Sequence, residues 1–142
     1  MITIALNPEA LAETAAADPD MIAVSAGGYE LSNRELDSWS NRVARMLIGM
    51  GAGEGTTVAM ALAPSVESVV TMWAVAKIGA AMTVVDTEGG VRALGATIGV
   101  TTKAHRVQLS DATDWLVLDD RSTVVRYLAG SDAPITAADK VA

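Results

Sequence analysis

The stretch that decides the fold runs from Ala76 to Asp86 and reads AKIGAAMTVVD. Its first part ends an apolar helix at Gly79, because glycine readily takes the left-handed conformation found just after helices. Its second part, from Ala81 to Val85, is a continuous apolar run of the kind found in strands buried inside parallel sheets. A helix followed at once by such a strand predicts an α/β fold.

The same alternation continues on both sides of this stretch. Strands are predicted at 56–62, 81–85, 98–101 and 115–118, and helices at 64–78, 103–109 and 121–128, with a short helical connection at 91–96. Alternating strands and helices imply a mostly parallel sheet with right-handed crossovers and flanking helices. We expect residues 1–142 to form one α/β domain, in which residues 130–142 are a loop-like tail.

The N-terminal third carries signals for two helices and a hairpin. Asn7 before Pro8 is a favourable helix start, and Gly27-Gly28 between two short strand-like segments predicts an N-terminal β-hairpin. Ser32 and Glu35 form a capping box, in which each side chain can bond the other residue's backbone N–H. The helix that follows has one apolar stripe, formed by Leu36, Trp39, Val43, Leu47 and Met50.

The composition limits the classes of partner. Ten basic and 17 acidic residues leave a net charge of −7, which opposes binding to nucleic acid or to an anionic membrane. The chain has no cysteine, so thiol catalysis and thiolate metal sites are excluded. The N-terminus does not have the pattern of a signal peptide, and the longest apolar stretch is too short and too polar to span a bilayer. We therefore expect a soluble, cytoplasmic protein.

The glycines between Gly49 and Gly55 do not predict a dinucleotide site. A phosphate-binding glycine loop follows a strand and opens a helix, whereas these glycines follow a predicted helix and precede a strand. A helix end and a turn are the better interpretation. The P-loop motif G-x-x-x-x-G-K-[ST] does not occur in the sequence.

A few polar residues are candidates for chemistry, but each has a structural explanation that we favour. His105 is the only histidine, and we expect it at the surface. Asp119 and Asp120 follow a predicted strand, where two acids can bind Mg²⁺ shared with a phosphate or, as we prefer, start a helix. Asp86 has the same strand-end position, and we assign it to a turn with residues 87–90.

The three tryptophans, Trp39, Trp73 and Trp115, lie on apolar stripes. A platform for stacking nucleic-acid bases would have basic residues closely interleaved with aromatic ones, a pattern that this sequence does not have. They are expected to be core or interface residues.

Five segments together resemble the N-terminal portion of the adenylate-forming superfamily, which includes acyl-CoA synthetases, luciferases and the adenylation domains of nonribosomal peptide synthetases. Residues 31–36 resemble its first core motif and residues 76–86 its second, with Lys77, Gly79, Ala81 and Asp86 retained and Met82 and Val84 in place of the usual tyrosine and proline. Residues 64–67, 99–105 and 115–120 resemble further stretches, of the kind common in actinobacterial peptide synthetases. The resemblance extends from about Pro8 to about Asp139.

The resemblance implies a function for the intact family that this chain does not carry alone. The family uses ATP and Mg²⁺ to convert a carboxylic acid, often an amino acid, into an acyl-adenylate. Its phosphate loop, adenine-binding segment, substrate pocket and C-terminal lysine correspond to nothing in these 142 residues. We therefore assign no catalytic, cofactor-binding or metal-binding residue here. The chain is expected to be an inactive fragment, half of a split enzyme or a truncated relative; the alternative is a stand-alone interaction module or pseudoenzyme.

The resemblance also implies a partner. The helix that follows Pro64 is apolar on nearly every face, and such helices are normally buried on all sides. In the family a helix of this kind lies between two sheets, one of which is largely missing from this chain. We expect association through the face bearing Trp73, either as a homo-oligomer or with a complementary protein lobe.

Overall fold

The computed structural model describes residues 7–85, 96–106, 109 and 113–140, with the side chain of residue 140 left out. Its elements are α1 (Pro8–Ala17), β1 (Ile22–Ala26), β2 (Tyr29–Ser32), α2 (Asn33–Gly49), β3 (Thr57–Ala61), α3 (Val66–Lys77), β4 (Ala81–Val84), β5 (Ile98–Thr101), α4 (Lys103–Arg106), β6 (Asp114–Val117), α5 (Arg121–Ala129) and α6 (Ala137–Lys140).

The predicted α/β architecture is confirmed. Strands β3 to β6 form a parallel sheet in the order β4-β3-β5-β6, and β1 and β2 form a separate antiparallel hairpin. The turn of the hairpin contains Gly27 and Gly28, whose φ angles of 59° and 83° are unfavourable for residues with a side chain. The helical connection expected at 91–96 lies outside the described residues except for Ala96, and so does Asp86.

The central strands β3 and β5 are buried on both faces, which explains why they are mostly apolar, whereas the edge strands β4 and β6 are partly exposed. Val58 and Met60 point to the helix side, where they join α2 and α3 in the larger core cluster. Ala59 and Ala61 point to the other side and pack in a smaller cluster with Trp115. Alternation along β3 therefore separates a face of large side chains from a face of small ones.

Helix α2 begins and ends where its sequence predicts. The Oγ atom of Ser32 accepts a hydrogen bond from the Glu35 N–H at 3.1 Å, and Oε1 of Glu35 accepts one from the Ser32 N–H at 3.0 Å. Gly51 follows the helix with a φ angle of 101°. The capping box and the glycine end are thus both confirmed.

The end of the chain differs from the expected loop. Residues 131–136 are irregular, but residues 137–140 form the short helix α6. The segment is also attached to α2 by side-chain hydrogen bonds. The start of α6 has a local cause, because Thr136 and Asp139 each accept a hydrogen bond from the other residue's backbone N–H. The attachment of the irregular stretch to α2 depends instead on distant residues, which no local sequence pattern indicates.

Candidate functional site: the carboxyl edge of the sheet and the polar face of α2

The two aspartates at the end of β6 have structural roles of different kinds. Oδ1 of Asp119 accepts a hydrogen bond of 2.8 Å from the backbone N–H of Lys103, the first residue of α4. Asp120 occupies the N-cap position of α5, but its side chain binds the hydroxyl of Ser122 and makes no capping bond. Asp120 therefore starts its helix as expected, although without a side-chain capping bond. Asp119 does not cap that helix and instead binds the first N–H of the neighbouring helix α4.

The pKa of Asp120 is lowered, first by the hydrogen bond from Ser122 and further by the positive charges of Lys103 and Arg126. Among the residues that the structure describes, no three histidine, cysteine, aspartate or glutamate side chains form a group that could hold a metal ion. His105 lies on α4 and is partly exposed.

The glycine-rich segment is a helix end and a turn, as expected. It connects the end of α2 with the start of β3, and Gly51 and Gly55 both have positive φ angles. Since no helix begins there, the segment does not present the free backbone N–H groups that bind phosphate.

The three tryptophans lie in different environments. Trp115 packs over Gly99 of the adjacent strand, so closely that a Cβ atom at Gly99 would overlap the indole ring. Trp39 is 38% exposed and makes an edge-to-face contact with Tyr127, with ring centroids 6.2 Å apart. Trp73 is half-buried against the larger core cluster.

Lys77, one of the motif residues, is buried at the end of α3 and is only 5% exposed. Its Nζ atom donates to the backbone oxygen of Asp37 at 3.0 Å, to Oδ1 of Asp37 at 2.7 Å and to Oδ1 of Asn41 at 2.7 Å. These bonds use all three donors of the ammonium group. Burial lowers the pKa of Lys77, while its bond to Asp37 opposes that shift. The lysine thereby links the C-terminus of α3 to the first half of α2.

The polar face of α2 binds the C-terminal part of the chain. Nη1 of Arg42 donates to the carbonyl oxygens of Tyr127, Leu128 and Gly130, so its guanidinium binds the C-terminal end of α5 and also lies 5.3 Å from the Tyr127 ring centre. A cation at a helix C-terminus is favourable because free carbonyl groups and the helix dipole make that end negative. Arg45, one turn further along α2, forms an ion pair of 3.2 Å with Asp139.

Sequence reasoning missed this face. Its residues, Asp37, Ser38, Asn41, Arg42 and Arg45, follow helical spacing opposite the apolar stripe, and a solvated surface is the usual meaning of that pattern. The available signal is their composition, since two arginines and an asparagine can each bind several carbonyl groups.

An apolar groove lies between α2, α3 and α5. It has a volume of about 260 Å³ and is lined by Trp39, Val43, Met46, Val70, Val124 and Tyr127, among others. The Tyr127 hydroxyl is inaccessible to solvent and has no hydrogen-bond partner in the described part of the chain. Burial raises the pKa of Tyr127 to about 12, against the opposing charge of Arg42.

Comparison with known proteins identifies the class to which this fold belongs. The AMP-binding enzyme family matches residues 11–136. The nonribosomal peptide synthetase CymA of Salinispora arenicola is 36% identical over 134 residues, which are 93% of this chain and 2% of that protein. Novobiocin biosynthesis protein H of Streptomyces niveus is 33% identical over 136 residues, or 93% of this chain and 21% of that protein. The chain belongs to the AMP-binding enzyme family.

Solved structures agree on the fold. The nonribosomal peptide synthetase FmoA3 has a TM-score of 0.78 at 24% identity, over 91% of this chain and 14% of that one. The N-terminal subdomain of Klebsiella oxytoca NpsA has a TM-score of 0.73 at 20% identity, over 94% of this chain and 34% of that one. This chain therefore spans only a minor part of the relatives it matches, and its fold is that of an adenylation N-terminal subdomain. Within the described ranges, no helix is both long and apolar enough to cross a membrane.

Proposed function

We propose that this chain forms the N-terminal part of an adenylate-forming domain of the nonribosomal peptide synthetase type. The main support for this proposal is the family match over residues 11–136, together with 36% identity to a peptide synthetase over nearly the whole chain. In this proposal the chain contributes the sheet and its supporting helices, while ATP, Mg²⁺ and the acyl substrate bind to the rest of the domain. Its location is the cytoplasm, where ATP is available.

The chain by itself is proposed to be inactive. Adenylation requires positioned donors and cations around the transferring phosphoryl groups, and the sequence has no phosphate loop to supply them. The purified chain should give no ATP–pyrophosphate exchange above a buffer control with a broad panel of amino and carboxylic acids. Reproducible exchange would refute this part of the proposal.

A chimera tests the proposal that this chain supplies the N-terminal part of an adenylate-forming domain. The stretch of the Streptomyces niveus protein that matches this chain would be replaced by residues 1–136, and exchange would be measured with that protein's own substrate. We expect the chimera to retain exchange, whereas the same protein without the stretch should lose it. A folded but inactive chimera would contradict the assignment as an interchangeable N-terminal part.

The proposed partner is the complementary lobe of the domain, bound to one stripe of α3. One side of α3 is fully buried by its own chain, at Val66, Val70, Ala74 and Val75. The stripe beside it follows helical spacing and is only half-buried, at Val69, Met72, Trp73 and Ala76. A stripe that its own chain covers only in part is suited to an interface. In the absence of that lobe, a second copy of the chain is expected to cover the stripe.

Light scattering at micromolar concentration tests the association. We expect a mass above the 14.6 kDa of one chain, and Trp73→Glu should return it to that value. Trp39→Glu is the matched control, because Trp39 is a partly exposed tryptophan outside the stripe. A monomeric wild-type chain that also fails to bind the complementary lobe would refute the interface.

A further inference from the structure

The buried lysine at the end of α3 acts on a segment with which it has no hydrogen bond. We propose that Lys77 positions the C-terminal segment through Asn41, so that residues 131–139 form a strap whose attachment to α2 depends on this relay. The inference rests on the described contacts and is independent of the proposed adenylation function.

The first step is the orientation of the Asn41 side chain. An ammonium group has only donors, so the atom of the Asn41 amide that faces Lys77 must be the oxygen. The Nδ2 group then points away from Lys77 and donates to the backbone oxygen of Asp132 at 2.9 Å. Asn41 is only 3% exposed, so solvent does not compete readily for either bond. Lys77 therefore selects the amide orientation that can bind the strap.

The second step is the nature of the attachment. Three successive carbonyl groups, those of Asp132, Ala133 and Pro134, accept hydrogen bonds from Asn41 or Arg45 on α2. The hydroxyl of Ser38 also donates to Oδ2 of Asp132 at 2.9 Å.

Apolar burial adds little to these polar bonds. Residues 131–134 are exposed, and Ile135 is the one apolar residue of the irregular stretch 131–136 that packs against the core cluster. A strap held mainly by polar bonds is sensitive to the loss of one well-placed donor.

The third step is the route of the coupling. Lys77 follows Ala74 and Val75, which are fully buried in the core. Its position is therefore set by the packing of α3. Asn41 transfers that position to the strap, because one amide group binds Lys77 with its oxygen and Asp132 with its nitrogen. The packing of α3 thereby helps to fix the position of Asp132 on α2.

The test uses backbone ¹⁵N order parameters of the full chain. Asn41→Asp keeps an acceptor for Lys77 but replaces the donor to Asp132 with a carboxylate oxygen. Residues 132–139 of the wild-type chain should give order parameters of about 0.85, and in Asn41→Asp these should fall below about 0.6, the range of flexible backbone. Residues 57–61 and 66–77 should be unchanged, because the bonds of Lys77 to α2 remain.

Lys77→Met tests whether the order of the strap depends on Lys77, which is linked to the strap through the hydrogen bonds of Asn41. It should loosen the strap as strongly as Asn41→Asp does and should also raise mobility at the end of α3. Lys103→Met is the matched control at an exposed lysine and should change neither segment. If Lys77→Met does not fold, Lys77→Gln takes its place, because it removes the ammonium group but keeps a polar side chain. A strap that stays ordered in the folded Lys77 variant would overturn the role of Lys77. A strap that stays ordered in Asn41→Asp, or one that is already flexible in the wild-type chain, would overturn the proposal.

Discussion

Two regions of this molecule are held together by different forces. Helices α2 and α3 and the sheet bury large side chains almost completely, as at Leu47, Val75 and Val58. The segment from residue 118 to residue 140 instead leaves Val125 and Leu128 exposed and is attached through Arg42, Arg45 and Asn41. The comparison shows that one helix, α2, can pack into the hydrophobic core with one face and bind backbone carbonyl groups with the other.

The largest expected effect comes from a matched pair of leucines. Leu47 is 0% exposed in the core, so Leu47→Ala should lower the free energy of unfolding by about 2–5 kcal/mol. Leu128 is 69% exposed on α5, so Leu128→Ala should change it by less than about 0.5 kcal/mol. Urea melts of both variants measure the contrast, and equal losses would show that α5 belongs to the same packed core.

A second variant tests the other face of the sheet. Gly99→Ala places a Cβ atom against the rigid indole ring of Trp115 and should cost about 1–3 kcal/mol, because an overpacked core must shift its backbone or side chains. Gly49→Ala is the control: a Cβ atom there would meet no atom within 4 Å. That variant should be neutral or stabilising by up to about 1 kcal/mol. A harmless Gly99→Ala would mean that Trp115 moves freely.

The capping box should have a moderate effect on the core region. Ser32→Ala removes the acceptor for the Glu35 N–H and should lower the free energy of unfolding by about 0.5–2 kcal/mol. Thermal or urea melts measure it. Superimposed curves for the variant and the wild-type chain would show that the hydroxyl does not stabilise the start of α2.

Glu35 gives a prediction about pH. Its pKa is lowered from the ordinary 4.5, first by the hydrogen bond from the Ser32 backbone N–H. The carboxylate's contribution to stability is therefore complete above the unfolded pKa of about 4.5 and is lost as the pH falls through the lower folded pKa. The wild-type chain should exceed Glu35→Gln in stability at pH 7, and the difference should shrink at pH values below that window. A stability difference that does not change with pH would contradict a role of the Glu35 charge. Glu13→Gln on α1 is the control.

The smallest effect is expected in the C-terminal region. The Tyr127 hydroxyl is buried without a partner in the described structure, so Tyr127→Phe should leave the free energy of unfolding unchanged or raise it by up to about 1 kcal/mol. Tyr127→Ala should lower it, because the ring contacts with Trp39 and Arg42 are lost. A clear loss in Tyr127→Phe would indicate that the hydroxyl has a hydrogen-bond partner.

Local signals in the sequence predicted most of the elements, because each has a short-range cause. Asn7 and Ser32 accept hydrogen bonds from backbone groups two or three residues away, and Gly79 takes a φ angle of 73° at the end of α3. Such causes lie within one or two helical turns. The expectation of an α/β fold of the adenylate-forming type is confirmed on the same basis, since its motifs are runs of these local signals.

The sequence could not predict the roles that depend on distant residues. The sequence assigns Asp119 to the start of the helix that follows it, but its carboxylate binds the N–H of Lys103 on the neighbouring helix α4. Trp39 lies on the apolar stripe of α2, but the open groove that it lines leaves it partly exposed.

By itself the sequence determined the class of fold, the starts and ends of the main helices and the family, because hydrophobic period, caps and glycines act over a few residues. The tertiary structure alone decided that the polar face of α2 binds residues 127–139 and that Lys77 is buried with three acceptors. Those outcomes depend on pairs of residues 36 to 94 positions apart, such as Lys77 with Asn41 and Arg45 with Asp139. A one-dimensional pattern does not show which distant acceptor each donor will meet, because only the packing of the helices on the sheet brings them within hydrogen-bond distance.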